Sequence, residues 1–161
     1  MDQGVQQATK HLHITWQRLV DDFAATCPRC SDTGENLDAA VDILQPVLAR
    51  EGIQLLVQKQ RILPMAFNQN PLDSNRIFIE GMPLESWLNA ETGTSPCCEA
   101  CGDNECRTLV YEGNAHEDVP LELIMLGILT AAEATFHIEL AQYTNQEVPF
   151  FRRTNTDTIP S

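Results

Sequence analysis

The chain is short of basic residues. It has 10 lysines and arginines against 23 aspartates and glutamates among its 161 residues, which gives a formal net charge of −13. A surface with this excess of negative charge repels the phosphates of nucleic acids and the headgroups of anionic lipids. We therefore expect neither a nucleic acid nor a membrane surface as a partner.

Long hydrophobic runs are also lacking. The longest, residues 123–132, has ten residues and includes Gly127 and Thr130, whereas a membrane-spanning helix needs about 20 apolar residues. The first ten residues are polar and have no apolar run behind a basic start, so the sequence predicts no secretory signal. These features predict a cytoplasmic protein, in which thiols stay reduced and clustered cysteines bind metals or perform redox chemistry.

The sequence has no internal repeat, no phosphate-binding glycine loop, no Gly-x-Ser-x-Gly and no His-Glu-x-x-His motif. His11 and His13 are typical of surface residues, and His116 and His137 lack metal-ligand spacing to another histidine. What the sequence does contain is sulfur. Its six cysteines lie in two short stretches, residues 27–30 and 97–106, so we expect a function that depends on thiols.

Hydrophobic periodicity predicts one domain over residues 10–142, with a flexible lead at 1–9 and a flexible tail at 143–161. Apolar residues alternate over residues 11–20 and 53–63, which predicts two strands, and helical spacing over residues 34–50 predicts a helix between them that Pro46 kinks or breaks. The other expected elements are a loop at 64–74, a strand at 76–80, a return strand at 82–84, a helical turn at 85–89, a cysteine-rich loop at 91–106, a hairpin over 106–119 and a helix from 120 to about 142.

This order of elements is the thioredoxin-like arrangement, in which a strand–helix–strand unit is followed by a hairpin and a covering helix. The first two strands should be parallel, joined by a right-handed crossover. The Cys-x-x-Cys motif falls between the first strand and its helix, where that fold keeps its reactive thiols. The expected fold is therefore α/β, with a thioredoxin-like mixed sheet, flanking helices and a cysteine-rich loop insertion.

The first sulfur stretch is Cys27-Pro28-Arg29-Cys30. At the N-terminus of a helix, the positive end of the helix dipole stabilises a thiolate, and Arg29 adds a nearby positive charge. Because the predicted helix begins at Gly34, this stabilisation is expected to be weak. In a redox interpretation, Cys27 is the nucleophile and Cys30 the thiol that resolves the mixed disulfide.

The second stretch has the spacing Cys-x2-Cys-x4-Cys, preceded by one more cysteine. Two thiolates separated by two residues can chelate one ion, and Gly102 lets the backbone fold around it. A purely structural zinc knuckle and a reversible redox pair are the alternatives. If residues 82–84 form a return strand, the chain brings this stretch back to the end of the sheet that carries the first. We expect one metal ion or cluster to be bound by Cys98, Cys101 and Cys106, with a fourth ligand from Cys97, Cys27 or Cys30.

Several motifs between residues 11 and 132 carry a family resemblance. They are Trp16-Gln17-Arg18, residues 26–36 around Cys-Pro-x-Cys, Ser74-Asn75-Arg76-Ile77, Gly81 with residues 83–88, and Ser95-Pro96-Cys97-Cys98 continuing through Cys101-Gly102-Asp103 to Cys106-Arg107-Thr108. With these motifs the sequence resembles an uncharacterised thioredoxin-like domain family of bacteria and archaea. The resemblance implies the fold more than it implies an activity.

General thioredoxins have a cis-proline just before the third strand, facing the Cys-x-x-Cys motif, which shapes the substrate groove and keeps metals off the thiols. This sequence has Asp73-Ser74-Asn75-Arg76 there. The difference favours metal or metalloid coordination over a general disulfide-reductase role. The first hypothesis is a protein that binds zinc, an iron–sulfur cluster or another soft metal. The alternatives are a thiol–disulfide oxidoreductase and an interaction module with a structural zinc knuckle. The expected partners are a metal ion or thiol-reactive ligand and a protein that exchanges electrons or metal.

Overall fold

A computed structural model describes residues 9–20, 27–97 and 104–140 of the chain. Within these ranges, seven strands form two sheets. Apart from a single 3₁₀ turn at Pro71–Asp73, the elements in chain order are β1 (Lys10–Leu19), α1 (Pro28–Ala49), β2 (Ile53–Ile62), α2 (Pro64–Gln69), β3 (Arg76–Ile79), β4 (Met82–Pro83), α3 (Leu84–Leu88), β5 (Glu91–Pro96), β6 (Glu105–Tyr111), β7 (Asn114–His116) and α4 (Leu121–Phe136).

The main sheet is mixed and has the strand order β2-β1-β3-β4. β1 is parallel to β2 across the α1 connection and antiparallel to β3, which is antiparallel to β4. Alternate residues of β1, Leu12, Ile14 and Trp16, are buried in one core cluster with residues of α1 and α4. The expected mixed sheet with flanking helices is therefore confirmed, as is the return strand, since Met82 pairs with Ile79.

Helix α1 begins six residues earlier than predicted. Pro28 is its first residue, a position that proline favours because its missing N–H would have no partner within the helix. The cap-type residue Thr33 lies inside the helix, where its hydroxyl donates to the carbonyl of Arg29 and accepts the N–H of Val119. The predicted break at Pro46 is also wrong, because α1 continues to Ala49 with the last turn held in the core by buried Val47 and Leu48.

The predicted loop at residues 64–74 contains α2 and the 3₁₀ turn instead. Pro64 starts α2, and Phe67 is buried at 2% exposure, so an apolar anchor orders a segment whose prolines and amides suggested a loop. Helix α4 ends at Phe136, before His137 in a left-handed conformation. Apart from Thr9, the predicted lead and tail lie outside the described residues. None of the described helices has the length and apolar character needed to cross a membrane.

The chain segment between α3 and α4 forms a second sheet, with the strand order β5-β6-β7. The predicted cysteine-rich loop is wrong over residues 91–96, because β5 pairs with β6 from Glu91 opposite Val110 to Pro96 opposite Glu105. A side chain at Gly93 would meet the Thr108 hydroxyl at 2.5 Å, so glycine lets the two strands pair closely. Since β5 is polar and has no apolar alternation, its sequence gives no strand signal.

The buried face of α1 provides a test of the core assignment. Leu44 is fully buried, whereas the neighbouring Ile43 is 36% exposed. Leu44→Asp buries a carboxylate without a partner, so we expect the free energy of unfolding to fall by about 4 kcal/mol or more. The matched change Ile43→Asp should cost about 1 kcal/mol or less. Urea denaturation of both variants measures this, and a Leu44→Asp protein as stable as Ile43→Asp would contradict the assignment.

Candidate thiol site

Cys27 and Cys30 occupy the start of α1. Cys27 is the N-cap residue and Cys30 lies in the first turn; both are thiols, 8% and 4% exposed. The backbone N–H groups in the first turn of a 22-residue helix carry a positive partial charge that stabilises a thiolate. The expectation of a weak dipole effect depended on a helix beginning at Gly34, and that premise is wrong, because α1 begins at Pro28.

Ser74 lies against Cys30 and was absent from the predicted site. Its Oγ is 3.7 Å from the Cys30 Sγ and accepts the N–H of Leu19 at 2.9 Å. A hydroxyl has one proton and two lone pairs, so the amide leaves the proton available for the sulfur. The sequence signal that could have identified Ser74 is its place just before β3, opposite the Cys-x-x-Cys motif.

Trp16 of β1 packs against α1, and Arg18 of the same strand packs against the Trp16 ring. The Trp16 Nε1–H donates to the Asn75 Oδ1 at 3.3 Å, and a Cβ on Gly34 would lie 2.5 Å from the indole, so α1 passes directly over the ring. Arg18 stacks on Trp16 at 4.9 Å from the ring centroid. Its pKa is lowered by burial and by Arg61, while a Cys30 thiolate acts in the opposite direction. This cation therefore interacts electrostatically with Cys30.

Arg29, between the two cysteines, binds backbone carbonyls rather than a thiolate. Its guanidinium is buried and donates to three oxygens: Nε to the carbonyl of Glu117 at 3.1 Å, Nη1 to that of Pro96 at 3.2 Å and Nη2 to that of Arg107 at 2.7 Å. Pro96 directly precedes Cys97, and Arg107 directly follows Cys106. One side chain thus fixes the Cys-x-x-Cys turn to both ends of the second sulfur stretch.

Cys97 and Cys106 form a disulfide, with their Cα atoms 5.0 Å apart. The pairing of β5 with β6 brings them together, because Ser95 lies opposite Cys106 and the Cys97 N–H donates to the Asn104 carbonyl. The sequence left a reversible redox pair open as an alternative here but did not indicate which two cysteines form it, since β5 gave no strand signal. In this state neither sulfur is a thiolate, so neither acts as a thiolate ligand to a metal.

The remaining members of the predicted metal set, Cys98 and Cys101, lie outside the described residues. Within the described ranges, no group of three or more histidines, cysteines, aspartates or glutamates is arranged to hold a metal ion. The metal set of Cys97, Cys98, Cys101 and Cys106, with Cys27 or Cys30, therefore stays a prediction.

A second arginine, Arg107, joins the second sheet to the main domain. Its Nε donates to the carbonyl of Leu72 at 2.7 Å, and its Nη1 donates to Thr92 at 2.8 Å and to the Glu85 carboxylate at 3.2 Å. Burial lowers the pKa of Arg107, and the Glu85 charge acts to raise it. The second sheet is thus fixed by buried polar contacts at two places.

An open cleft of about 330 Å³ lies where α1 meets the end of β5. Pro28 and Cys97 both border it, so the two sulfur stretches meet at one end of the molecule, as the return strand led us to expect. Most of its polar lining is acidic. The lining residues are Pro28, Arg29, Asp32, Pro96, Cys97, Glu117 and Asp118.

Residues 12–128 match the family described as a domain of unknown function, DUF2703. The chain belongs to the DUF2703 family. A protein of Archaeoglobus fulgidus described as uncharacterised is 38% identical over 113 residues, covering 70% of this chain and 82% of that protein. No solved structure matches the chain. The matched DUF2703 range includes all six cysteines and both buried arginines, Arg29 and Arg107.

The contacts of Arg29 predict a large effect of its removal from this DUF2703 domain. Arg29→Ala removes the guanidinium donors from three buried or part-buried carbonyls, of which, within the described ranges, only that of Glu117 keeps another donor, the Asn75 side-chain N–H at 3.4 Å. We therefore expect the free energy of unfolding to fall by about 2–4 kcal/mol. Arg29→Lys keeps the charge but concentrates its donors at one nitrogen, so it should restore only part of the loss. Urea denaturation measures both, with the exposed Arg61→Ala as the control. An Arg29→Lys protein as stable as the wild type would show that the charge matters rather than the fork of donors.

Proposed function

We propose that the domain is a thiol–disulfide oxidoreductase in which Cys27 attacks and Cys30 resolves. The observation that carries this proposal is the position of Cys27 as the N-cap of α1, with Cys30 one turn into the helix and 3.7 Å from the Ser74 hydroxyl. Thiolate rather than thiol is the reactive form of cysteine. The helix end favours it at Cys27, and the Ser74 hydroxyl and the Arg18 charge favour it at Cys30.

The reaction is a pair of exchanges. The Cys27 thiolate attacks one sulfur of a partner disulfide, forms a mixed disulfide with it and releases the other partner sulfur as a thiolate. The Cys30 thiolate then attacks the Cys27 sulfur and releases the second partner thiolate. Two electrons pass to the partner, the product is a Cys27–Cys30 disulfide, and solvent protonates the released thiolates.

A thioredoxin-like fold is part of the proposal. Its support is the strand order β2-β1-β3-β4, with the parallel β1–β2 pair joined through α1. Ser74 lies two residues before β3, in the stretch where general thioredoxins have cis-proline, and the described residues include no cis peptide bond. A hydroxyl that can donate to a sulfur thus replaces a ring that cannot. We propose a cytoplasmic location, where a Cys97–Cys106 disulfide would be a reversible redox bond rather than a permanent link.

A second candidate function is soft-metal binding by the reduced protein. The observation that favours it is the 5.0 Å Cα separation of Cys97 and Cys106. Once reduced, these two neighbouring thiols flank residues 98–105, which include Cys98 and Cys101. The sequence spacing of the four cysteines suits zinc or an iron–sulfur cluster. Metal ligation by Cys97 or Cys106 and the Cys97–Cys106 disulfide exclude each other, so a site that uses either cysteine requires reduction first.

Site-resolved alkylation tests the oxidoreductase proposal. We expect iodoacetamide to modify Cys27 with a rate whose pH midpoint lies well below the value of about 8.5 for an ordinary thiol. Ser74→Ala should raise the midpoint for Cys30, whereas Ser74→Thr, which keeps the hydroxyl, should leave it near the wild-type value. Mass spectrometry of metal-free protein reports each site. A Cys27 midpoint of an ordinary thiol would count decisively against its role as the nucleophile.

Metal analysis tests the second candidate. Protein reduced and supplied with zinc or iron and sulfide without oxygen should bind metal, and Cys101→Ser should lower the amount while the main sheet stays folded. Loss of metal in Cys27→Ser and Cys30→Ser as well would indicate one shared site, and loss only in Cys101→Ser would indicate a separate knuckle. If the reduced wild type binds no metal, this candidate fails.

A further inference from the structure

Among the described residues, the cleft beside α1 gives access to the Cys97–Cys106 disulfide at Cys97. Cys97 contributes to the lining of this cleft and is partly exposed, whereas Cys106 is 7% exposed. A thiol that reduces this bond therefore approaches the Cys97 sulfur from the cleft, and Cys106 is the buried leaving group. A volume of about 330 Å³ accommodates a small thiol or one cysteine side chain with its neighbours.

The negative charge of the cleft favours cationic over anionic ligands. Asp32, Glu117 and Asp118 supply three carboxylates, while Arg29 is the single cation among the described residues that line the cleft. The Arg29 guanidinium donates to three carbonyls and is therefore committed to the protein rather than to a ligand. The Glu117 carboxylate is fixed in place by the Ser95 hydroxyl, which donates to it at 3.3 Å. A positively charged molecule is attracted here, and an anionic one is repelled.

We propose that this cleft binds a cationic thiol, one with an amine or basic side chain next to its sulfur, as the reductant of Cys97–Cys106. The inference deepens the proposed function and depends on it in one respect, that this disulfide is redox-active. The ligand class covers both a small aminothiol and a cysteine in a basic protein segment, which share the same chemistry.

The step balances with the thiol as the reductant. Its thiolate attacks the Cys97 sulfur, the bond to Cys106 breaks, and Cys106 leaves as a thiolate. A second thiolate attacks the reductant's own sulfur in the mixed disulfide and releases Cys97. Two thiols are oxidised to one disulfide, Cys97 and Cys106 are reduced, and solvent supplies the protons.

The test measures reduction of Cys97–Cys106 in a full-length Cys27→Ser/Cys30→Ser background, by quenching with an alkylating agent and mass spectrometry. The reductants are cysteamine, which is cationic, and 2-mercaptoethanesulfonate, which is anionic. In this background Asp32→Asn should lower the rate at which cysteamine reduces the disulfide by roughly threefold. The rate of reduction by the sulfonate should stay the same or rise. The matched control is Asp42→Asn, the same change about 15 Å further along α1. It should alter neither rate.

Comparing each variant with its parent cancels the intrinsic reactivities of the two thiols. The effect of Asp32→Asn should also shrink as salt is raised, because salt screens charge interactions across an open cleft. Equal effects on both thiols, or equal effects of Asp32→Asn and Asp42→Asn, would overturn the proposal. Complete resistance of Cys97–Cys106 to both thiols would overturn it as well.

Two peptides distinguish the sources of the ligand. If Lys-Cys-Lys reduces the bond about tenfold faster than cysteamine at equal thiolate concentration, the ligand is a basic protein segment, and if it does not, a small aminothiol is the ligand. Glu-Cys-Glu should be slowest in either case, and a Glu-Cys-Glu rate equal to that of Lys-Cys-Lys would overturn the proposal. Because Cys27 and Cys30 are absent, failure here is separate from failure of the Cys27 alkylation test.

Discussion

The hydrogen bonds of Arg29 are the constraint on which the arrangement of the site depends. A buried guanidinium must find acceptors for its donors, and here they are the carbonyls of Glu117, Pro96 and Arg107. Because Arg29 lies between Cys27 and Cys30, these bonds fix the reactive turn against the strands that carry the disulfide. Asn75 adds a second polar link at this end, because its side-chain N–H donates to the same Glu117 carbonyl at 3.4 Å.

The second sheet is held by buried polar contacts more than by an apolar face, and this explains its sequence. In β6, Arg107 and Thr108 are buried at 8% and 3% exposure, next to Leu109 at 2%. Both side chains of the Arg107–Glu85 ion pair are about one-tenth exposed. The second Glu85 oxygen is buried without a hydrogen-bond partner among the described residues. Burial of such a pair adds little stability by itself. Its value here is to fix one orientation of the inserted sheet.

Periodicity predicted the parts of the fold that depend on apolar burial. Leu37, Leu44 and Leu48 of α1 are fully buried, and the strands over β1, β2 and β3 were found within a few residues. The start of α1 was wrong because a tertiary contact, Val119 to the Thr33 hydroxyl, overrides the capping tendency of that residue. β5 and the disulfide were missed together, since the signal for both lies in pairing with β6, not in the polar sequence of β5 itself. Ser74 was missed as a site residue because its role comes from one contact across the sheet.

The four described cysteines occur as two kinds of sulfur group, a pair of thiols and one disulfide. Cys27 and Cys30 are buried thiols at a helix end, where position stabilises a thiolate whatever the state of the second sheet. Cys97 and Cys106 are brought together by strand pairing, so they remain neighbours whether oxidised or reduced. Reduction therefore need not rearrange the hairpin to yield two adjacent thiolates. In the functions proposed here, the oxidation state of this bond decides whether Cys97 and Cys106 can bind a metal, and the charge of the cleft decides which thiols reduce it.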